Sequence, residues 1–79
     1  MTRFYFHLED RSGRVADEEG VELPDVDSAH RHALQAARLI ICDEVVRGRV
    51  DLSQTILVED QAGRRLVDLR FRDALAIDG

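Results

Sequence analysis

The sequence predicts an α+β fold, a two-layer ββαββ arrangement with one helix packed on a four-stranded, mainly antiparallel sheet. Three observations predict it. One run only, Ser28 to Arg47, is long and regular enough for a helix. Four shorter stretches read as strands, three of them placing alternate residues on opposite faces with a period of two, the mark of half-buried strands. These strands form two pairs, each joined by a turn that ends in glycine, Asp10-Arg11-Ser12-Gly13 and Asp60-Gln61-Ala62-Gly63.

The first strand is Thr2 to Asp10. Phe4, Phe6 and Leu8 face one way, and Arg3, Tyr5, His7 and Glu9 the other. Three of the four aromatic residues lie here, which places this strand at the centre with the helix on its Phe face. Arg14 to Asp17 returns as a second strand. Val15 is its one large apolar residue, so the strand is short and at an edge. Asp17-Glu18-Glu19-Gly20 is an acidic turn, and Val21-Glu22-Leu23 is an extended segment tucking two side chains under the helix. Pro24 ends that segment, because a helix can begin after it but not extend back through it.

Asp25, Asp27 and Ser28 can each accept from the free N–H groups of a first turn, and Asp27 is the preferred N-cap. Gly48 suits a left-handed position just past the helix end. At about 100° per residue, Ala33, Leu34, Ala37, Ile40, Ile41 and Val45 share one broad core face. His30 and Glu44 point towards its centre, near opposite ends, where each could reach water. Leu39, Cys42 and Val46 fall at i, i+3 and i+7 on nearly the opposite side, where a helix on one sheet calls for charge. They are either scattered exposed apolar residues or a contact with a partner chain.

Gly48 to Ser53 is a loop with Val50 and Leu52 as apolar anchors. The third strand, Gln54 to Asp60, points Ile56 and Val58 inward, and Thr55, Leu57 and Glu59 outward. The fourth, Arg65 to Phe71, points Val67, Leu69 and Phe71 inward, and Leu66, Asp68 and Arg70 outward. Asp73 can cap a final turn running to Ile77. Strand order 2-1-3-4 centres the two most apolar strands and makes every neighbouring pair antiparallel, with a right-handed crossover through the helix. Two layers leave one sheet face open. Tyr5, His7, Leu57, Leu66, Asp68 and Arg70 form that second candidate surface.

The two hairpins share the pattern Glu-Asp-x-x-Gly-Arg, at Glu9 to Arg14 and at Glu59 to Arg64. The apolar pattern slips by one after the turn, so common turn chemistry, not duplication, accounts for the match.

A chain of 79 residues is one domain with a small core, for which association is a common remedy. A net charge of −5 argues against general affinity for nucleic acid or an anionic membrane. The single Cys cannot close an internal disulfide, no apolar run is long enough to span a bilayer, and no signal peptide opens the chain. A cytoplasmic setting is expected.

His7 is the most interesting polar residue, a candidate general base or ligand without partners that a motif would supply. His30 and His32, two apart on a helix, diverge and cannot readily share a metal. The acidic run from Asp17 to Asp27 lacks the spacing of a calcium loop and reads as helix-start chemistry. Arg64, Arg65, Arg70 and Arg72 make a basic rim that could touch phosphate, with no aromatic residue interleaved. No catalytic residue, metal ligand or cofactor is assigned. The leading reading is a non-enzymatic protein that forms a homodimer or binds another protein. The alternatives are a nucleic-acid-linked regulator using the Arg rim and a small enzyme using His7 with a nearby carboxylate.

Arg3-Phe4-Tyr5-Phe6-His7, the segment Asp17 to Asp25, the helix ending Arg47-Gly48-Arg49, Ile56-x-Val58-x-Asp60-x-x-Gly63-Arg64 and Leu69-x-Phe71-x-Asp73-Ala74 form one set. Together they resemble a family of short bacterial proteins, abundant in rhizobia-like bacteria, known only as a domain of unknown function. The resemblance covers nearly the whole chain. It implies a single small domain, and no activity, cofactor or catalytic residue.

Overall fold

A computed structural model describes residues 1–76 and 78. Strand β1 is Thr2–Asp10, β2 is Gly13–Val15, β3 is Val21–Leu23, and the helix α1 is Val26–Val46. Strand β4, Thr55–Glu59, and β5, Arg65–Arg70, follow, then a 3-10 turn at Phe71–Asp73. The architecture is α+β, one helix on a mostly antiparallel sheet, as the sequence predicts.

The sheet has five strands. Its main path runs β2-β1-β4-β5, and β3 pairs with β1 off that path. The difference from the four-strand expectation is β3, because Val21 to Leu23 forms a ladder with Thr2–Phe4 instead of merely lying extended. Strand β2 pairs with Leu8–Asp10 of the same β1. In the interval between them the Phe6 N–H has a side chain as its partner, Asp17 Oδ2 at 3.1 Å. Gly20, at φ +72°, lies tight against β1, and a Cβ there would come within 2.9 Å of the Phe4 carbonyl oxygen. Only glycine combines that φ with that approach.

Helix α1 starts at Val26, two residues earlier than the Ser28 expected. Asp25, not Asp27, is the N-cap, with extended backbone and its side chain accepting from Ser28 N at 2.7 Å. Asp27 stands in the first turn, where its charge suits the helix dipole. At the other end Gly48, at φ +87°, reverses the chain and donates its N–H to Val45 O.

The core lies between α1 and the sheet. Phe4, Ile56, Val58, Leu69, Phe71 and Ala74 are buried against Ala29, Ala33, Ala37 and Ile41 of the helix. The helix stripe is thus an i, i+4 row that starts at Ala29, a turn before the expected stripe. His30 is exposed and not at the centre of that face. Val45, expected in the core, is 58% exposed. Past Ile41 the helix meets the polar loop before β4, where Asp51 N–H and the Gln54 amide bond Glu44, so Val45 has nothing apolar to cover.

Two outward residues are also corrected. Leu57 is 1% exposed, set between His7 of β1 and Asp68 of β5. A central strand flanked on both sides is closed off by its neighbours' side chains even on the face without a helix. Leu66 packs against the core, because the β4–β5 register slips after Val58 and Glu59 pairs with Arg65. That bulge re-aims Leu66. The final turn begins at Phe71 rather than Asp73, with Phe71 N–H donating to Gln54 O at 2.9 Å. The turn does not continue through Ala74 to Ala76 as expected, and Ile77, its expected last residue, lies outside the described residues.

Candidate functional site

The outer face of α1 is the candidate interaction surface. With Ala29, Ala33, Ala37 and Ile41 turned to the sheet, helical geometry turns Leu39, Cys42 and Val46 to the opposite side. Leu39 is 63% exposed, Val46 is 82% exposed and Cys42 is exposed. Val45 extends the apolar strip along one border. Arg38 and Asp43 stand on opposite flanks. Arg38 Nε donates to Ala74 O at 2.8 Å, and Asp43 Oδ2 meets Arg47 Nε at 3.3 Å. The N-terminal half of the same face is polar, with Ser28, Arg31, His32 and Gln35. The His32 ring packs at 4.6 Å on Phe6, leaving a shallow hollow lined by His32, Gln35, Ala36 and Leu39.

The other sheet face holds a polar cluster that sequence reasoning did not assemble. His7, 8% exposed, sits at its centre. Its Nδ1 accepts the Asp17 N–H at 3.1 Å, and its Nε2 lies 3.1 Å from Glu59 Oε1. An Nδ1 that accepts leaves the ring proton on Nε2, which therefore donates to Glu59. Both ring nitrogens are used, and the lone pair a general base needs is held by a backbone N–H. The Tyr5 ring lies parallel to His7 at 6.5 Å. Tyr5 and Leu66 are half-buried, while Asp68 and Arg70 are exposed.

Asp17 ties this cluster together. Its carboxylate accepts from Phe6, Glu19 and Gly20 N–H groups. Burial alone raises its pKa, but the N–H groups of Gly20, Phe6 and Glu19, with His7 nearby, outweigh that and hold it below the ordinary value. A sequence signal existed. Asp-x-x-Gly recurs at Asp10, Asp17 and Asp60. Asp10 Oδ1 takes the Gly13 N–H and Asp60 Oδ1 takes Ala62 and Arg64 N–H groups.

A second cluster lies below the end of α1. Buried Gln54 donates to both Glu44 oxygens, at 3.2 and 2.9 Å, and to Asp51 O at 2.9 Å. Nothing in the sequence pairs these three residues, because strand alternation assigns Gln54 no partner.

The basic rim is partly neutralised. Arg64 pairs with Asp60 at 2.8 Å and Arg70 with Asp73 at 3.3 Å, while Arg65 and Arg72 are exposed. Among the described residues no group of three or more His, Cys, Asp or Glu side chains could hold a metal ion. None of the described helices is long and apolar enough to cross a membrane.

Fold and surface define a small α+β domain in which three exposed large apolar residues, Leu39, Val45 and Val46, lie along one helix, with Met1 and Val15 exposed elsewhere. The chain belongs to a family described as a domain of unknown function, DUF6894, whose profile matches residues 3–72. No match is found among curated proteins or among solved structures.

Proposed function

We propose that this domain is a non-catalytic interaction module that self-associates through the outer face of α1. The observation that carries this reading is the strip Leu39, Cys42 and Val46, solvent-facing at helical spacing on the side away from the core. Contiguous exposed apolar surface on a small protein marks a contact site more often than single scattered residues do. The small core adds a motive, since association stabilises the folded state by mass action. The other functional readings have less support. His7 has both ring nitrogens engaged within the fold, and two of the four rim arginines already face carboxylates.

Sedimentation velocity from low to high micromolar concentration tests the proposal. The expected result is a concentration-dependent dimer that Leu39→Glu or Val46→Glu returns to monomer. A wild-type protein that stays monomeric throughout overturns it.

A further inference from the structure

Resting on that self-association, we infer that α1 pairs with α1 of a second copy in parallel and in register, Leu39 against Leu39, Cys42 against Cys42 and Val46 against Val46. The spacing of three and then four residues is that of heptad positions a, d and a. In the same heptad Ala33 falls at b, Ala37 at f and Ile41 at c, clear of the seam, while Ala29 falls at e beside its polar first turns.

The flanking charges choose the orientation. Arg38 takes position g and Asp43 the following e, five residues on. In a parallel, in-register pair each g residue faces the following e residue of the other helix. Arg38 then faces the partner's Asp43, and two-fold symmetry makes the contact twice. In an antiparallel pair g faces g. The g positions here are Arg31, Arg38 and Val45, so that arrangement gives Arg38 no carboxylate to face. The Arg38 Nε bond to Ala74 O anchors the side chain while leaving its terminal nitrogens to donate. Asp43 is exposed on the opposite flank, with its Oδ2 against Arg47 Nε at 3.3 Å and its other oxygen left to take the partner's Arg38.

The preceding seam positions, Ser28, His32 and Gln35, are polar. Apolar contact is therefore confined to the last turns of the helix, and the pair belongs with short, weak interfaces.

Cys42 supplies the test. Facing d residues of a parallel pair bring their Cβ atoms close enough for a disulfide. Reduced wild-type protein, at a concentration where it sediments as a dimer, is treated with diamide, which takes two electrons and two protons from a pair of thiols. The expected product is a covalent dimer on a non-reducing gel. Arg38→Glu and Asp43→Arg alone each weaken association by about ten-fold, and together they restore it. Circular dichroism shows that each variant keeps its helix. A dimer that resists cross-linking at Cys42, or that the double charge swap does not restore, overturns the parallel pairing and leaves self-association standing. A monomer at every concentration removes both.

Discussion

Asp17 shows how much structure one carboxylate can hold. It takes the N–H of Phe6 on the edge of β1 left unpaired between β3 and β2, and it closes its own turn through Gly20. Replacing it by Ala strands these donors and costs about 2–3 kcal/mol of stability by urea denaturation. Its native pKa lies below the ordinary value of 3.8, so it contributes stability above that value and loses it as pH falls through the lower native one. The stability gap between wild type and Asp17→Asn is therefore wide at neutral pH and closes in strong acid. Gly20 makes a second test at this scale. Gly20→Ala costs about 3 kcal/mol, combining left-handed strain with a clash on the Phe4 carbonyl, while Gly63→Ala costs about 1 kcal/mol. Gly63 shares the left-handed φ but has open space at its Cβ.

The helix has two apolar faces with different consequences. The inner row Ala29, Ala33 and Ala37 is fully buried, and its small side chains set how closely α1 lies on the sheet. Ala33→Leu overpacks that contact and costs about 1–3 kcal/mol. Leu39→Ser on the outer face changes monomer stability by less than about 0.5 kcal/mol, since Leu39 is mostly exposed among the described residues. Thermal melts of dilute protein separate the two variants. A large loss in Leu39→Ser would place Leu39 in the core, against its exposure.

The whole molecule is thin, with a shortest principal extent of 17 Å. One sheet and one helix fill that depth, so a single apolar layer carries the fold. A second copy added across α1 would leave this layer intact and add a contact of its own. The melting temperature of wild-type protein therefore rises with protein concentration, and that of Leu39→Glu does not. Equal concentration dependence in both would remove Leu39 from the contact.

The sequence by itself determined the fold class, both hairpins, the helix and its two faces, but not that Val21 to Leu23 pairs as a strand. Period-two and period-3.6 patterns are local, and so are the Asp-x-x-Gly turns. Tertiary structure alone decided where those patterns break. Leu57 is buried on a face the alternation leaves open, because its cross-strand neighbours close over it. Leu66 turns inward because a bulge shifts its register. Val45 turns outward because the helix end meets a polar loop held by Glu44. The His7–Glu59, Asp17–Phe6 and Glu44–Gln54 contacts join residues 52, 11 and 10 apart in the chain. No periodicity links residues at such separations. The packing of strand beside strand, of a turn on a strand edge and of the helix end on the loop before β4 brings them together.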